Sequence, residues 1–205
     1  MTLQNWFSLI IDQIQQTPLL EWLAVIMAVA EVLLAQHNNV WLYPAGIIST
    51  LLFIYIMANA GLYAESALNI YYLLMSVYGW LHWITRKNDP SLAITLANKK
   101  EWYTTSAIVL SGWLIIYFVL SKFTTSNVPA WDAWVSATAW AGMWLLAKRK
   151  IENWLVLNLS NIFAIPLLIY KQLPLTALLT LFLFIVAIFG YFKWKRLYRM
   201  QASLS

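Results

Sequence analysis

The 205-residue sequence has no cysteine, so neither a disulfide nor a thiolate metal site is open to it. Charge is scarce as well. Asp, Glu, Lys and Arg make up 10% of the residues, against about 25% in an ordinary soluble domain. The two histidines, His37 and His82, are not spaced as metal ligands with each other or with carboxylates. No HExxH, phosphate-binding glycine loop, GxSxG or Ser/Lys pair stands in a convincing context, so neither enzyme activity nor a cofactor is expected. Residues 1–19 contain no Lys or Arg and do not look like the charged start of a signal peptide.

What the sequence does have is apolar. It is 62% hydrophobic with a mean hydropathy of +0.67, which assigns it to the lipid bilayer as an integral membrane protein. Thirteen Trp and eleven Tyr are many for this length. Most are expected in interfacial belts, as with Trp22, Trp41, Trp83, Trp102 and Trp131 near the ends of apolar runs, leaving a few to line a site for a flat ring. The net charge of +5 sits in short loops between apolar runs, where it sets topology and offers no stripe for nucleic acid.

Apolar runs fall at 20–36, 41–59, 63–85, 102–121, 131–147, 151–170 and 174–194. Each is long enough to cross about 30 Å as a helix, and helices are favoured because lipid leaves free backbone groups without partners. The expected fold is therefore all-α, with seven transmembrane helices. Arg86, Lys87, Lys99, Lys100, Lys148, Arg149, Lys150, Lys193, Lys195, Arg196 and Arg199 then lie on one side, and Lys122 and Lys171 on the other. The positive-inside rule puts the C-terminus in the cytoplasm and the N-terminus outside. Leu3, Trp6, Phe7, Ile10 and Ile14 share one helical face, read either as a short helix on the outer surface or as a frayed end.

An internal repeat is visible at an offset of 111 residues. Leu62, Leu68, Gly79 and Trp83 in GLYAESALNIYYLLMSVYGWLHW match Leu173, Leu179, Gly190 and Trp194 in QLPLTALLTLFLFIVAIFGYFKW. Trp41 opens the second span and Trp154 the sixth. A three-span unit inverts when duplicated, and one extra span between the copies restores a parallel orientation. The expected order is 3+1+3, with two parallel three-helix repeats and a substrate site at their interface. The boundaries are an N-terminal segment at 1–19, a first repeat at 20–85, a linker loop and helix at 86–130, a second repeat at 131–194 and a basic cytoplasmic tail at 195–205.

Several polar residues interrupt the apolar runs. Trp154, Asn158 and Asn161 share a face by 3 and 4 spacing, continued by Ile165 and followed by Pro166, which can kink a helix. The asparagines serve either as helix–helix glue or as a ligand platform, with Trp154 for ring stacking. In the third span, Asn69, Tyr72 and Ser76 form a complementary face below Glu65. Glu31 lies deep in the first span, as a functional carboxyl or as a protonated one bonded to another helix. Asp132 reads as a cap or interfacial residue, and Glu152 as the partner of Lys148 or Arg149.

WLYPAGIISTLLFIYIMANAGLYAESALNIYYLLMSVYGWLHW and RKIENWLVLNLSNIF resemble the PnuC-type vitamin transporters, over nearly the whole chain. The resemblance implies seven spans in 3+1+3 order, a homotrimer in the bacterial inner membrane, and uptake of a vitamin by facilitated diffusion with phosphorylation trapping it inside. The nicotinamide riboside branch resembles WxxW in span six with an Asn four residues on, and tends to have Gln in span three. Here Trp154 keeps the first aromatic, Leu157 replaces the second, Asn161 retains the amide, Asn158 adds one, and Asn69 stands for the Gln. These departures turn the expectation toward the thiamine branch, with nicotinamide riboside or riboflavin as alternatives. Thiamine carries a cationic ring that Trp154 or Tyr72 would attract by roughly 0.5–2 kcal/mol, an aminopyrimidine edge for Asn69, Asn158 and Asn161, and a charge that Glu31 would balance. The candidate site is Trp154, Asn158, Asn161, Asn69, Tyr72, Ser76 and Glu31. The rival reading from outside the class is a membrane scaffold that carries no substrate.

Overall fold

The computed structural model describes residues 3–85 and 93–203, with the side chains of 3–7, 63–65 and 202 left out of account. Arg86 and Lys87 from the cation count, the side chain of Glu65, and three of the five apolar residues of the N-terminal face therefore lie outside the described residues. Within them the chain forms eight helices: α1 (Leu3–Gln16), α2 (Leu19–Gln36), α3 (Leu42–Asn59), α4 (Tyr63–Thr85), α5 (Lys99–Phe123), α6 (Pro129–Ala147), α7 (Asn153–Tyr170) and α8 (Pro174–Ala202).

The ends of these helices follow from local chemistry. Pro18 precedes α2, while Pro129 and Pro174 open α6 and α8, where a missing N–H costs nothing. Asn98 caps α5 in a reciprocal box with Glu101, each side chain accepting the other's backbone N–H at 2.9 Å. Five helices (α2, α3, α5, α7 and α8) are long and apolar enough to cross a membrane. The other two of the seven expected spans are α4, which carries Asn69, Tyr71, Tyr72 and Tyr78, and α6, which carries four tryptophans and Asp132. Those residues lower mean hydropathy, though aromatic rings are at home at the membrane boundary. At 29 residues α8 is about 43 Å long, so its basic C-terminal turns extend the helix well beyond a hydrocarbon core of about 30 Å.

The six helices α2, α3, α4, α6, α7 and α8 close into a ring, each touching the next, with α8 returning to α2. Helix α5 lies against α6 and the edge of α4, and α1 against α8. Exchanging α2, α3 and α4 for α6, α7 and α8 maps the ring's contacts onto themselves.

The offset of 111 recurs in the backbone itself. Asn38 and Arg149 both take φ of 53°, and Gly61 and Gln172 take 76° and 59°, each pair 111 positions apart. These left-handed residues end the first two helices of each unit. The N–H bonds Asn39 to Leu34 O and Lys150 to Leu145 O, both 3.0 Å, correspond, as do Leu62 to Met57 O and Leu173 to Leu168 O, both 2.9 Å. Side chains follow: Ser49 Oγ donates to Ala24 O at 2.9 Å, and Ser160 Oγ to Val135 O at 2.7 Å. The match of Trp41 with Trp154 is corrected by this register. Trp154 corresponds to Tyr43, and Trp41 stands opposite Glu152 just before the helix.

Glycines fix the closest approaches. Gly79 on α4 leaves room for the ring of Tyr43, and Gly190 on α8 for the ring of Trp154, again 111 apart on both sides. A Cβ at Gly190 would stand 2.7 Å from the Trp154 indole. Gly79→Ala and Gly190→Ala should therefore each destabilise the chain by about 1–3 kcal/mol. Gly112→Ala, whose methyl would meet Ala137 Cβ at an ordinary 3.4 Å, should be neutral or slightly stabilising. Thermal unfolding of the three variants in one detergent separates them; equal melting temperatures would contradict the packing described.

Candidate functional site

At the cation-rich end, the two units hold each other. Trp83, at the end of α4, donates Nε1 to Ala147 O of α6 at 3.0 Å. Trp194 on α8 donates Nε1 to Ala35 O of α2, also at 3.0 Å. Each indole thus bonds the last turn of the first helix of the other unit. Tyr43 meets Trp83 edge-on at 5.1 Å, Trp154 meets Trp194 edge-on at 5.7 Å, and the two central indoles lie 6.4 Å apart. Trp83, Trp154 and Trp194 are at most 2% exposed, so these rings are packed together, with a recess of about 440 Å³ beside Trp83 and Arg149.

The Lys148–Arg149–Lys150 run closes over the same end, each cation with its own partner. Lys148 lies 4.7 Å from the ring of Trp144, Arg149 stacks 3.8 Å over Trp83, and Lys150 pairs with Glu101 at 3.0 Å. Burial lowers the Arg149 guanidinium from its ordinary value while Tyr43 pulls it back up. Guanidinium still stays charged at any ordinary pH. Glu152 departs from expectation. Its carboxylate accepts the backbone N–H of Ala97 at 2.9 Å, because Thr95 and Lys150 form a short parallel bridge, through the bonds Thr95 N–H to Arg149 O and Ile151 N–H to Thr95 O, that brings the α4–α5 connection alongside.

Deeper in the ring, α4 turns Tyr72, Ser76 and Gly79 inward. At about 100° per residue they fall between the strip that meets α3, marked by Ser66 bonding Ile54 O and Asn69 bonding Met57 Sδ, and Tyr71, which meets α6. Tyr71 stacks on Trp140 at 4.3 Å and donates to its carbonyl at 3.1 Å. Glu31 reaches from α2 over Gly46 of α3, where a Cβ would stand 2.6 Å from the carboxyl carbon. Among the described residues, Glu31 Oε1, Tyr43 OH, Ser76 Oγ and Trp154 Nε1 are buried and find no hydrogen-bond partner. Buried polar atoms are rarely left so.

The seven expected residues do not make one contiguous wall. Glu31, Tyr72 and Ser76 belong to the interior of the first unit. Asn69 points to α3, Asn161 Nδ2 donates to Asn158 Oδ1 at 3.3 Å, and Trp154 is packed among the rings of the cation-rich end. Leu157, read from the sequence as a change of pocket, fills the space above Gly142, where a Cβ would lie 2.6 Å from it. It is a packing contact between α7 and α6. The sequence reading missed Trp83 and Trp194 as partners, although their shared offset was its one signal for them.

At the opposite end a recess of about 830 Å³ opens between the α5–α6 and α7–α8 connections. Leu68 of α4 lines it. Asp132 there is not the cap of α6, which is Val128, but lies in its first turn. Lys171 Nζ binds both of its oxygens, at 2.6 and 2.7 Å, and Ser126 Oγ donates to Oδ2 at 2.6 Å.

A duplicated three-helix unit closed into a ring, with most of its helices fit to span lipid, defines a multi-pass helical membrane protein. Residues 18–196 match the family model described as nicotinamide mononucleotide transporter, and the chain belongs to that family of membrane transporters. It is 22% identical over 213 residues to the nicotinamide riboside transporter PnuC of Escherichia coli (strain K12), covering 90% of this chain and 89% of that protein. The Shigella flexneri protein of the same name matches equally. The fold is similar to a crystal structure of the vitamin B3 transporter PnuC, with a TM-score of 0.71, 19% identity, and 97% of this chain and 90% of that one covered.

Trp83→Phe and Trp194→Phe each delete one indole donor between the units; Ala35 O keeps the N–H of Asn38 at 2.9 Å. Each should cost about 1 kcal/mol, and the double variant close to the sum, because the two bonds lie in separate helices. Equilibrium unfolding of the three variants in detergent measures this. No loss in either single variant would show that the indole bonds do not hold the units together.

Proposed function

We propose that this chain carries nicotinamide riboside across the bacterial cytoplasmic membrane by facilitated diffusion. The observation that carries the reading is the family match over residues 18–196, which takes in both three-helix units and the ring they close. The relatives it matches are named for the riboside. The expectation of thiamine rested on Leu157, Asn158 and Asn69 together, and packing against Gly142 accounts for Leu157 without a change of substrate.

In this proposal α2 to α8 are seven spans in 3+1+3 order. The first repeat covers 20–85, the second 131–194, and α5 with its leading loop forms the link. The N-terminus lies outside and the C-terminus in the cytoplasm, in keeping with nine described cations at one end of the helices against Lys122 and Lys171 at the other. The assembly is a homotrimer, and phosphorylation of the vitamin inside the cell makes uptake one-way. The interior set of Glu31, Tyr72, Ser76, Asn69, Trp154, Asn158 and Asn161 suits the substrate's parts. Ring faces and a carboxyl attract its pyridinium, and amides and hydroxyls take its carboxamide and ribose. With the cation-rich end latched, the substrate enters from the other side. Rocking of one repeat against the other then exposes it inside.

The test is uptake of radiolabelled nicotinamide riboside, and separately thiamine, into proteoliposomes of the purified chain. Saturable riboside uptake that excess thiamine does not inhibit supports the proposal; uptake of thiamine alone contradicts it. Glu31→Gln keeps the shape and removes the carboxyl charge. It should weaken riboside binding about tenfold, or about 1.4 kcal/mol, in calorimetry while leaving the melting temperature in place. Unchanged affinity would remove Glu31 from the site.

A further inference from the structure

The two names attached to this family differ by one phosphate, a mononucleotide against a riboside. The recess at the cation-poor end bears on that difference. Its volume, about 830 Å³, is ample for a nucleoside, and Leu68 of α4 lines it beside the α5–α6 core. It is lined by groups that both donate and accept: Ser126, Asn127, Ser136, Tyr170 and Gln172. Its single cation, Lys171, is already committed to Asp132 through two short bonds. The pair is partly buried, with side-chain exposures of 29% and 16%, so solvent screens it only in part.

The related corner of the other unit keeps a carboxylate, Glu21 standing for Asp132, but not its cation. There Val25 stands for Ser136 and Ala60 for Lys171, and Glu21 lies among Trp22, Phe53, Leu178 and Leu179 in an apolar cleft of about 380 Å³. Helix α1 reaches that side through Gln13, which bonds Gln172 O and the N–H of Leu175, each at 3.2 Å. A polar, charge-balanced recess thus occurs at one of two otherwise equivalent corners.

We propose that this recess is an entry subsite for the ribosyl half of the substrate, and that the Asp132–Lys171 pair makes it reject phosphate monoesters. A carboxylate has about four acceptor positions. Lys171 and Ser126 use three on Asp132, and one remains for a sugar hydroxyl, with Asn127 and Gln172 beside it. A phosphate brought to the same place meets the Asp132 carboxylate, while the lining ammonium, Lys171, is already neutralised. The riboside is admitted and its 5′-phosphate is turned away.

This rests on the transport reading for its substrate, but the test separates the two. Binding of nicotinamide mononucleotide is measured by calorimetry on the wild-type chain, on Asp132→Asn, and on Asp132→Asn with Lys171→Ala, with melting curves for each. Asp132→Asn frees the ammonium and should bind the mononucleotide at least tenfold more tightly at low salt. The gain should vanish in 0.5 M salt and in the double variant. Asn127→Ala should raise KM for riboside uptake about threefold or more with Vmax unchanged. No gain in mononucleotide binding by a folded Asp132→Asn chain, or an unchanged KM in Asn127→Ala, overturns the subsite. The charge-neutral pair Asp132→Ala with Lys171→Ala stands in if Asp132→Asn does not fold; tight mononucleotide binding by it would equally overturn the role of Lys171. If the wild-type chain takes up no riboside, the transport reading fails, and the mononucleotide titrations still decide what the ion pair does.

Discussion

Two indole N–H groups set the geometry of this molecule. Trp83 and Trp194 stand 111 residues apart, each at the cation-rich end of its unit's third transmembrane helix, and each bonds a carbonyl in the last turn of the other unit's first helix. In lipid, a carbonyl freed at a helix end has no water to turn to, so a donor from a neighbouring element is strongly favoured there. Each unit supplies one donor and receives the other's, so the two bonds tie the ring at both of its seams. The glycines at 79 and 190 follow from that demand. They admit the rings of Tyr43 and Trp154, which brace the indoles edge-on.

Against this near-symmetric frame, the differences between the units carry the chemistry. At one pair of related positions the roles are exchanged. In the first unit Glu31 on the first helix fills the space at Gly46 on the second; in the second unit Leu157 on the second helix fills the space at Gly142 on the first. The packing need is the same, but one solution buries a carboxyl and the other an alkyl group. A carboxyl at that depth is costly unless it serves a purpose, which is why Glu31 rather than its counterpart belongs to the proposed site. The cation-poor corners differ in the same sense, one polar and one apolar.

Much of the frame was legible in the sequence because it depends on repeated, local signals. The offset shared by Gly79 with Gly190 and Trp83 with Trp194 foretold the duplicated unit, and the apolar runs foretold the helix ends within three residues except at the end of α8, which runs on from 194 to Ala202. The register of the preceding helices was misread, since Trp41 and Trp154 look alike by type while Tyr43 and Trp154 are alike by place. Pairings across many residues were not legible. Lys171 reaches Asp132 across 39 positions, and Glu152 turns from the neighbouring cations to the N–H of Ala97 because the α4–α5 connection passes alongside. The candidate site was legible as residue types on helical faces. Which face meets a neighbouring helix and which meets the interior depends on ring order, and spacing alone does not carry that: Asn69 turned out to address α3, and Trp154 the rings of the cation-rich end.

The central claim is that the reciprocal tryptophan bonds hold the inner end of a path between two repeats. The absence of native cysteine makes a clean probe possible. Ser76, fully buried on the inward side of α4, is replaced by cysteine, and its reaction with a membrane-impermeant maleimide is followed from each face of the membrane. The account predicts almost no labelling from the cytoplasmic face while Trp83 and Trp194 are intact, and ready labelling from that face once both are changed to phenylalanine. Protection that persists after both bonds are removed would mean that they do not close the path, and would contradict the account.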